Sequence, residues 1–241
     1  MSSNKANLEP AFILHRRPWR DTSLLLEAFT AQHGRLGMVA KGVRGKRSTR
    51  AALLQPFQPL LLSWSGRGEL HTLTDAEPAA TLPPLQGHAL ISGFYLNELL
   101  MRLLQRHDPH PQLFQAYHQV LSRLHSGEQL EWSLRLFECE LLEQLGYGLL
   151  LDYCPFSDAP IAAEASYVYL AERGPVPAGQ AQGALVSGQT LLSLASAQWP
   201  LSEPEPHRLR EAKQLLRQTL ATYLGPKPLA SRALFQTVSG K

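Results

Sequence analysis

Cysteine is almost missing from this chain: Cys139 and Cys154 are the only two in 241 residues, too few for a disulfide framework. Long apolar runs are missing as well. The longest, such as Leu60 to Leu62 and Leu149 to Leu151, fall far short of the roughly 20 residues that cross a bilayer. No charged-then-apolar leader opens the chain, so no membrane partner and a cytoplasmic location are expected.

Signatures of covalent chemistry are equally scarce. A phosphate loop of the Walker kind needs a first glycine where Ala40 stands and a hydroxyl where Arg47 stands, so Gly45-Lys46 does not belong to one. There is no Gly-x-Ser-x-Gly elbow, no His-Glu-x-x-His pair and no deaminase set, which excludes the hydrolase, zinc-protease and deaminase classes. Glu138, Glu140 and Glu143 share a helical segment and read as a charged, solvent-facing side. His107, His110 and His118 form the densest histidine group and lack a matching ligand set. Cys154-Pro-Phe-Ser157 has serine where a second zinc thiolate would stand, and Cys139 reads as a small buried apolar residue. No catalytic residue, metal or cofactor is expected.

What the chain does have is positive charge in one place. Residues 1–50 hold ten Lys or Arg against three acids, although the whole chain is only +3. Half of those cations, Lys41, Arg44, Lys46, Arg47 and Arg50, fall in the run KGVRGKRSTR. Gly42 and Gly45 let that backbone turn tightly and approach a ligand, and the charges suit phosphates. The same residues would also suit a solvated loop that binds nothing. Residues 81–199 carry five basic and eleven acidic side chains, and residues 200–241 carry seven and three. A basic field confined to parts of the surface fits a polyanion held at a particular face.

The elements follow from periodicity. Short apolar runs at Ala11 to His15, Ser23 to Thr30, Leu36 to Ala40 and Leu53 to Ser63, with the alternating Glu69 to Thr74, predict about five strands separated by glycine-rich turns. That count suggests a small antiparallel barrel of the oligonucleotide-binding (OB) kind over residues 1–80. After Thr81-Leu-Pro-Pro84 the rhythm becomes helical. Tyr95, Leu99 and Leu103, then Leu113 to Leu124, then Leu130 to Leu145 predict three amphipathic helices. Their breaks fall at Pro109-His110-Pro111, at Ser126-Gly127 and at Gly146. Residues 153–188 read as an irregular insertion with one strand at Ser166 to Leu170. Helical periodicity returns at Thr190 to Ala197 and Leu209 to Leu224. The expected class is therefore α+β, a barrel followed by a mostly helical domain over residues 85–241.

Several separate segments also carry a family resemblance. AFILHRRPWRDTSLLLEAFTAQHGRLGMVAKGVRGKRS, QPFQPLLLSWSGRGELHTLTDAE, YLNELL, FECELLEQLGYG and YLGPKPLASRALF, in this order, resemble the bacterial recombination mediator and DNA repair family RecO. The resemblance implies an OB-fold followed by a helical domain, binding of single- and double-stranded DNA, annealing of complementary strands, and help in loading the recombinase RecA onto DNA coated by single-strand-binding protein. It implies RecR as a partner and nucleoid association. Many members have a four-cysteine zinc site after the LGY segment. Only Cys154 of that set is present here, so the chain resembles the zinc-free branch.

On this reading Arg16, Arg17, Arg20, Arg35, Lys41, Arg44, Lys46, Arg47 and Arg50 would track phosphates. Trp19, Phe57 or Trp64 would offer stacking faces, Trp19 foremost, although a tryptophan in a small barrel is as often core. The resemblance further implies that the helical domain receives the acidic, hydrophobic C-terminal tail of single-strand-binding protein. Arg135, Arg123 and Arg102 are candidates for the rim of that pocket. The closing segment Lys227 to Arg232 is basic too, or else docks the terminus through Leu229, Leu234 and Phe235. Two other classes remain: a protein–protein adaptor whose barrel binds a partner, and a nucleic-acid enzyme, which would need metal-binding acids that the basic N-terminal half hardly offers.

Overall fold

The computed structural model describes residues 5–45, 50–197 and 204–239. By compactness the chain forms two units, Met1–Ser126 with Leu229–Lys241, and Gly127–Pro228.

The first unit is built on five strands, β1 (Ala6–Trp19), β2 (Ser23–Thr30), β3 (Gly34–Ala40), β4 (Leu60–Ser65) and β5 (Leu70–Pro78), with a one-turn helix α1 (Arg50–Leu53) between β3 and β4. They close into a barrel in the order β1-β2-β3-β5-β4. The long β1 makes closure possible by serving two neighbours. From Ala6↔Trp64 to Ala11↔Leu60 it pairs with β4, and from Ala11↔Thr30 to Trp19↔Ser23 with β2. A register shift between Ile13 and His15 falls within the stretch paired with β2 and bends the strand there. β3 and β5 run parallel, Gly37↔Leu70 to Val39↔Thr72, while the other neighbours are antiparallel. This is the OB-fold arrangement that the strand count suggested.

Period-two patterning fills the barrel. Leu24, Leu26 and Ala28 of β2, Leu36, Met38 and Ala40 of β3, and Leu60, Leu62 and Trp64 of β4 point inward and pack together with Ile13, Val43 and Leu54. Trp64 is thus fully buried, which corrects the expectation that it offers a stacking face. Phe57 is corrected likewise: its side chain is buried.

Outside the barrel wall lie α2 (Gly87–Leu103) and α3 (Pro111–Ser126). Phe12 and Phe29 present their rings to Phe114 and Tyr117 of α3, with ring centroids 5.1–6.1 Å apart. Asn97 of α2 donates from Nδ2 to the Leu14 carbonyl at 2.7 Å and accepts from the Tyr117 hydroxyl. β2 is therefore covered on both faces, which explains its nearly unbroken apolar sequence. The change from strand to helix near residue 80 lies inside this compact unit. The C-terminal helix α7 (Ala230–Ser239) belongs to it as well, through buried Leu229 and through Glu98 of α2, which accepts from the amides of Ala230 and Ser231 at 2.8 and 2.9 Å. Leu234 is exposed.

The second unit contains α4 (Leu130–Gln144), α5 (Gly188–Ala195) and α6 (Pro206–Leu224). Within the segment read as irregular, the one predicted strand forms over the expected residues, Ser166–Leu170, and four further short strands accompany it. β6 (Tyr153–Cys154) pairs with β7 (Ala159–Pro160), and β8 (Ser166–Leu170) lies between β9 (Gly174–Pro177) and β10 (Leu185–Ser187). The other strands, of two to four residues and punctuated by glycine and proline, are too short to display a period in sequence.

Candidate nucleic-acid interface

Two basic turns meet at one end of the barrel. The first is the Arg20-Asp21-Thr22 connection between β1 and β2, where Arg20 has left-handed backbone at φ 50°. The second follows β3 and begins Lys41-Gly42-Val43-Arg44. Gly42 takes φ 69°, a conformation that favours glycine. Val43 then turns into the barrel core, 3 % exposed, and so leaves Lys41 and Arg44 on the outside. The turns are joined directly: the Arg44 amide donates to the Thr22 carbonyl at 2.8 Å, and Arg44 Nη1 to the Arg20 carbonyl at 3.4 Å.

Arg17, Arg20, Lys41 and Arg44 are all exposed on these turns and the strand that leads to them. Trp19 is half-buried among them, with the Arg17 guanidinium carbon 5.9 Å from its ring centroid. Asp21 is the one acid of the first turn. The result is a cationic ridge with one aromatic face. Val43 is the one aliphatic side chain in the basic run KGVRGKRSTR. It marks the point where the turn is tied to the core.

Other predicted site residues have different surroundings. Arg16 is half-buried and holds α1, donating from Nη1 to the Ala51 carbonyl at 2.8 Å and the Leu54 carbonyl at 3.3 Å. Arg35 donates to the Met101 carbonyl at 2.6 Å and is turned toward α2. Burial lowers its pKa, Glu27 opposes that change, and Arg106 adds to it. Both arginines serve the fold at these contacts. Arg50 is exposed and pairs with Asp75 at 3.1 Å. Lys46 and Arg47 lie outside the described residues.

The three candidates for a tail pocket lie on three different helices. Arg102 lies on α2, where its charge acts on Glu98, and Arg123 lies on α3. Arg135 belongs to the second unit and is buried, with Nη2 2.6 Å from Glu138 Oε1 on the same helix. This corrects the view of Arg135 as an exposed rim. It also corrects the reading of Glu138 as solvent-facing, since Glu138 is fully buried. Its neighbour Cys139 is part-buried, and burial, reinforced by Glu138 and opposed by Arg135, pushes its thiol up to about 12. That thiol stays protonated at neutral pH.

Cys154 is buried, and its Sγ donates to the Pro175 carbonyl at 3.1 Å. Among the described residues, no three His, Cys, Asp or Glu side chains converge on a possible metal position. The residues present do not fit a four-coordinate zinc.

Comparison with known proteins places the whole chain. Residues 5–82 match the family model "Recombination protein O N terminal", and residues 84–233 match "Recombination protein O C terminal". The chain belongs to the RecO family. Among its relatives is a protein of Nitrosococcus oceani named "DNA repair protein RecO", 51% identical over 95% of this chain and 92% of the relative. Proteins of the same name from Methylococcus capsulatus and Alkalilimnicola ehrlichii are 51% and 49% identical over 96% and 99% of this chain, and 94% of each relative. The first RecO model spans the barrel and its two linked turns, and the second begins just before α2. Among the described residues, no helix is long and apolar enough to cross a membrane.

Proposed function

We propose that this protein is a DNA-binding recombination mediator that acts without covalent chemistry in DNA repair. It binds single- and double-stranded DNA, anneals complementary strands and helps load RecA onto DNA coated by single-strand-binding protein, with RecR as its partner, in the cytoplasm at the nucleoid. The observation that carries this reading is the hydrogen-bonded pair of turns, which holds Arg17, Arg20, Lys41 and Arg44 on one end of an OB barrel beside Trp19. The name shared by its relatives, DNA repair protein RecO, supports the same reading.

The physical mechanism requires only charge and proximity. Two polyanions repel, and a common cationic surface screens them while releasing condensed counterions, after which base pairing drives association. Phosphate contacts position the strands without reading sequence, as annealing of arbitrary complements demands. The basic turns occupy the barrel end, and Trp19 supplies a face on which an unpaired base can stack.

Annealing of two complementary oligonucleotides tests the proposal. The combined Arg20→Gln, Lys41→Gln and Arg44→Gln protein, shown by thermal melting to match the parent in stability, should anneal much more slowly. Annealing at the parental rate would remove the turns from the DNA surface.

A further inference from the structure

Beside α1 the first unit contains a cavity of about 480 Å³ that the basic turns do not use. Its wall includes Leu53, Phe57, Leu85 and Phe94 with Gln55 and Gln58, whose amides each keep one polar atom beyond the Ala51 carbonyl and Leu82 amide they already engage, and among the described residues no charged one lines it. Its aromatic pair is held in a particular way. Phe57 has φ 68°, rare for a bulky side chain. Gly93 of α2 makes room for the Phe57 ring: a Cβ at Gly93 would lie 2.8 Å from that ring. The next residue, Phe94, meets Phe57 edge-on at 5.2 Å and remains 40 % exposed. A large aromatic ring thus faces solvent at the cavity, backed by the Phe57 ring.

We propose that this pocket takes one unpaired nucleobase of a bound DNA strand, stacked on Phe94. The inference rests on the DNA-binding reading above and names a second element of that site. A base has flat apolar faces and a polar edge, which suits an uncharged aromatic cavity that offers glutamine amides. An acidic peptide would bring carboxylates into a lining with no cation to receive them. The strand's own charge is met immediately outside. Exposed Arg50 opens α1, and Ala52, two residues later, is already part of the wall. The Arg50–Asp75 pair is exposed on both partners, so exchanging Asp75 for a phosphate costs little. Arg16 fixes α1 through its two carbonyl contacts, tying the pocket wall to β1.

The test compares an oligothymidine strand with an abasic strand of the same length, at matched salt concentrations over a range, on the parent protein and on Phe94→Ala. Phe94 is exposed, so the substitution leaves the core intact, and Phe94→Trp serves as the conservative control. The parent should prefer the base-bearing strand by about tenfold, in the range of base–aromatic stacking. Phe94→Ala should reduce that preference severalfold, leaving the share that stacks on Trp19, and Phe94→Trp should keep it, while abasic-strand affinity and its salt dependence stay the same in all three. Equal preference in parent and Phe94→Ala overturns the pocket, whether its occupant is then a peptide or nothing. If the proteins bind both strands with salt dependence and no base preference, only this inference fails. If they bind neither, the DNA-binding reading fails with it.

Discussion

Arg135 and Glu138 lie one helical turn apart on α4, and both are buried, so their value to the protein depends on the two remaining together. Removing the guanidinium alone leaves a carboxylate with no access to water and less compensation, which costs about 3–5 kcal/mol. Arg135→Ala should therefore lower the thermal midpoint sharply, and Arg135→Met with Glu138→Leu should recover most of the loss. A midpoint unchanged in Arg135→Ala would refute the buried pair. Loss of peptide binding in Arg135→Ala would not by itself locate a tail pocket. At the same scale, the stacking candidates show what a residue's type conceals. Trp64 follows Leu60 and Leu62 at period two, so its burial was legible from its register. Phe57 was not legible, because its position depends on a left-handed backbone and on the space at Gly93, some 36 residues away in sequence. Arg16 and Arg35 were read as phosphate ligands from their charge alone. Their partners, the carbonyls of Ala51, Leu54 and Met101, are main-chain groups that no side-chain pattern announces.

At the scale of elements, long periodic segments were read well and short ones poorly. The three helices over residues 87–144 and their breaks agree with the apolar spacing, because an amphipathic helix repeats its pattern over several turns. Of the strands over residues 153–187, only β8 was legible, and the others carry too few residues to repeat anything. One junction there shows how they are held. Ser187 ends β10 and caps α5, its Oγ accepting from the Thr190 amide at 3.2 Å. Glu211 of α6 accepts from the Ser187 amide at 3.1 Å, from Ser187 Oγ at 2.7 Å and from Thr190 Oγ1 at 2.6 Å. Burial tends to raise the Glu211 carboxyl, but these hydrogen bonds, aided by His207, outweigh it and hold its pKa below the ordinary carboxylate value. A lowered carboxyl pKa contributes stability that is present above the unfolded-state value and lost as pH falls through the folded one. Glu211→Ala should cost about 1–2 kcal/mol at neutral pH. It should cost progressively less below about pH 4.5, where the unfolded carboxyl takes up its proton. A penalty that did not shrink on acidification would contradict the cap.

Over the whole molecule, composition understates the electrostatics. A net charge of +3 conceals ten cations against three acids in residues 1–50. Folding sorts those cations. Arg16 and Arg35 are taken up by carbonyls inside the first unit, while Arg17, Arg20, Lys41 and Arg44 are left exposed on adjoining turns. The local excess was legible in the sequence, but its division into structural and surface-facing arginines was not, because it depends on which strand end meets which turn. The account's central claim is that this exposed set binds DNA by displacing counterions. Its most direct test is the affinity for a short single strand measured across a range of salt concentrations, for the parent and for the combined Arg20→Gln, Lys41→Gln and Arg44→Gln protein. Each phosphate contact adds about 0.7 to the slope of log affinity against log salt, so the loss of three should flatten it by about 2. A slope identical in the two proteins would contradict the account.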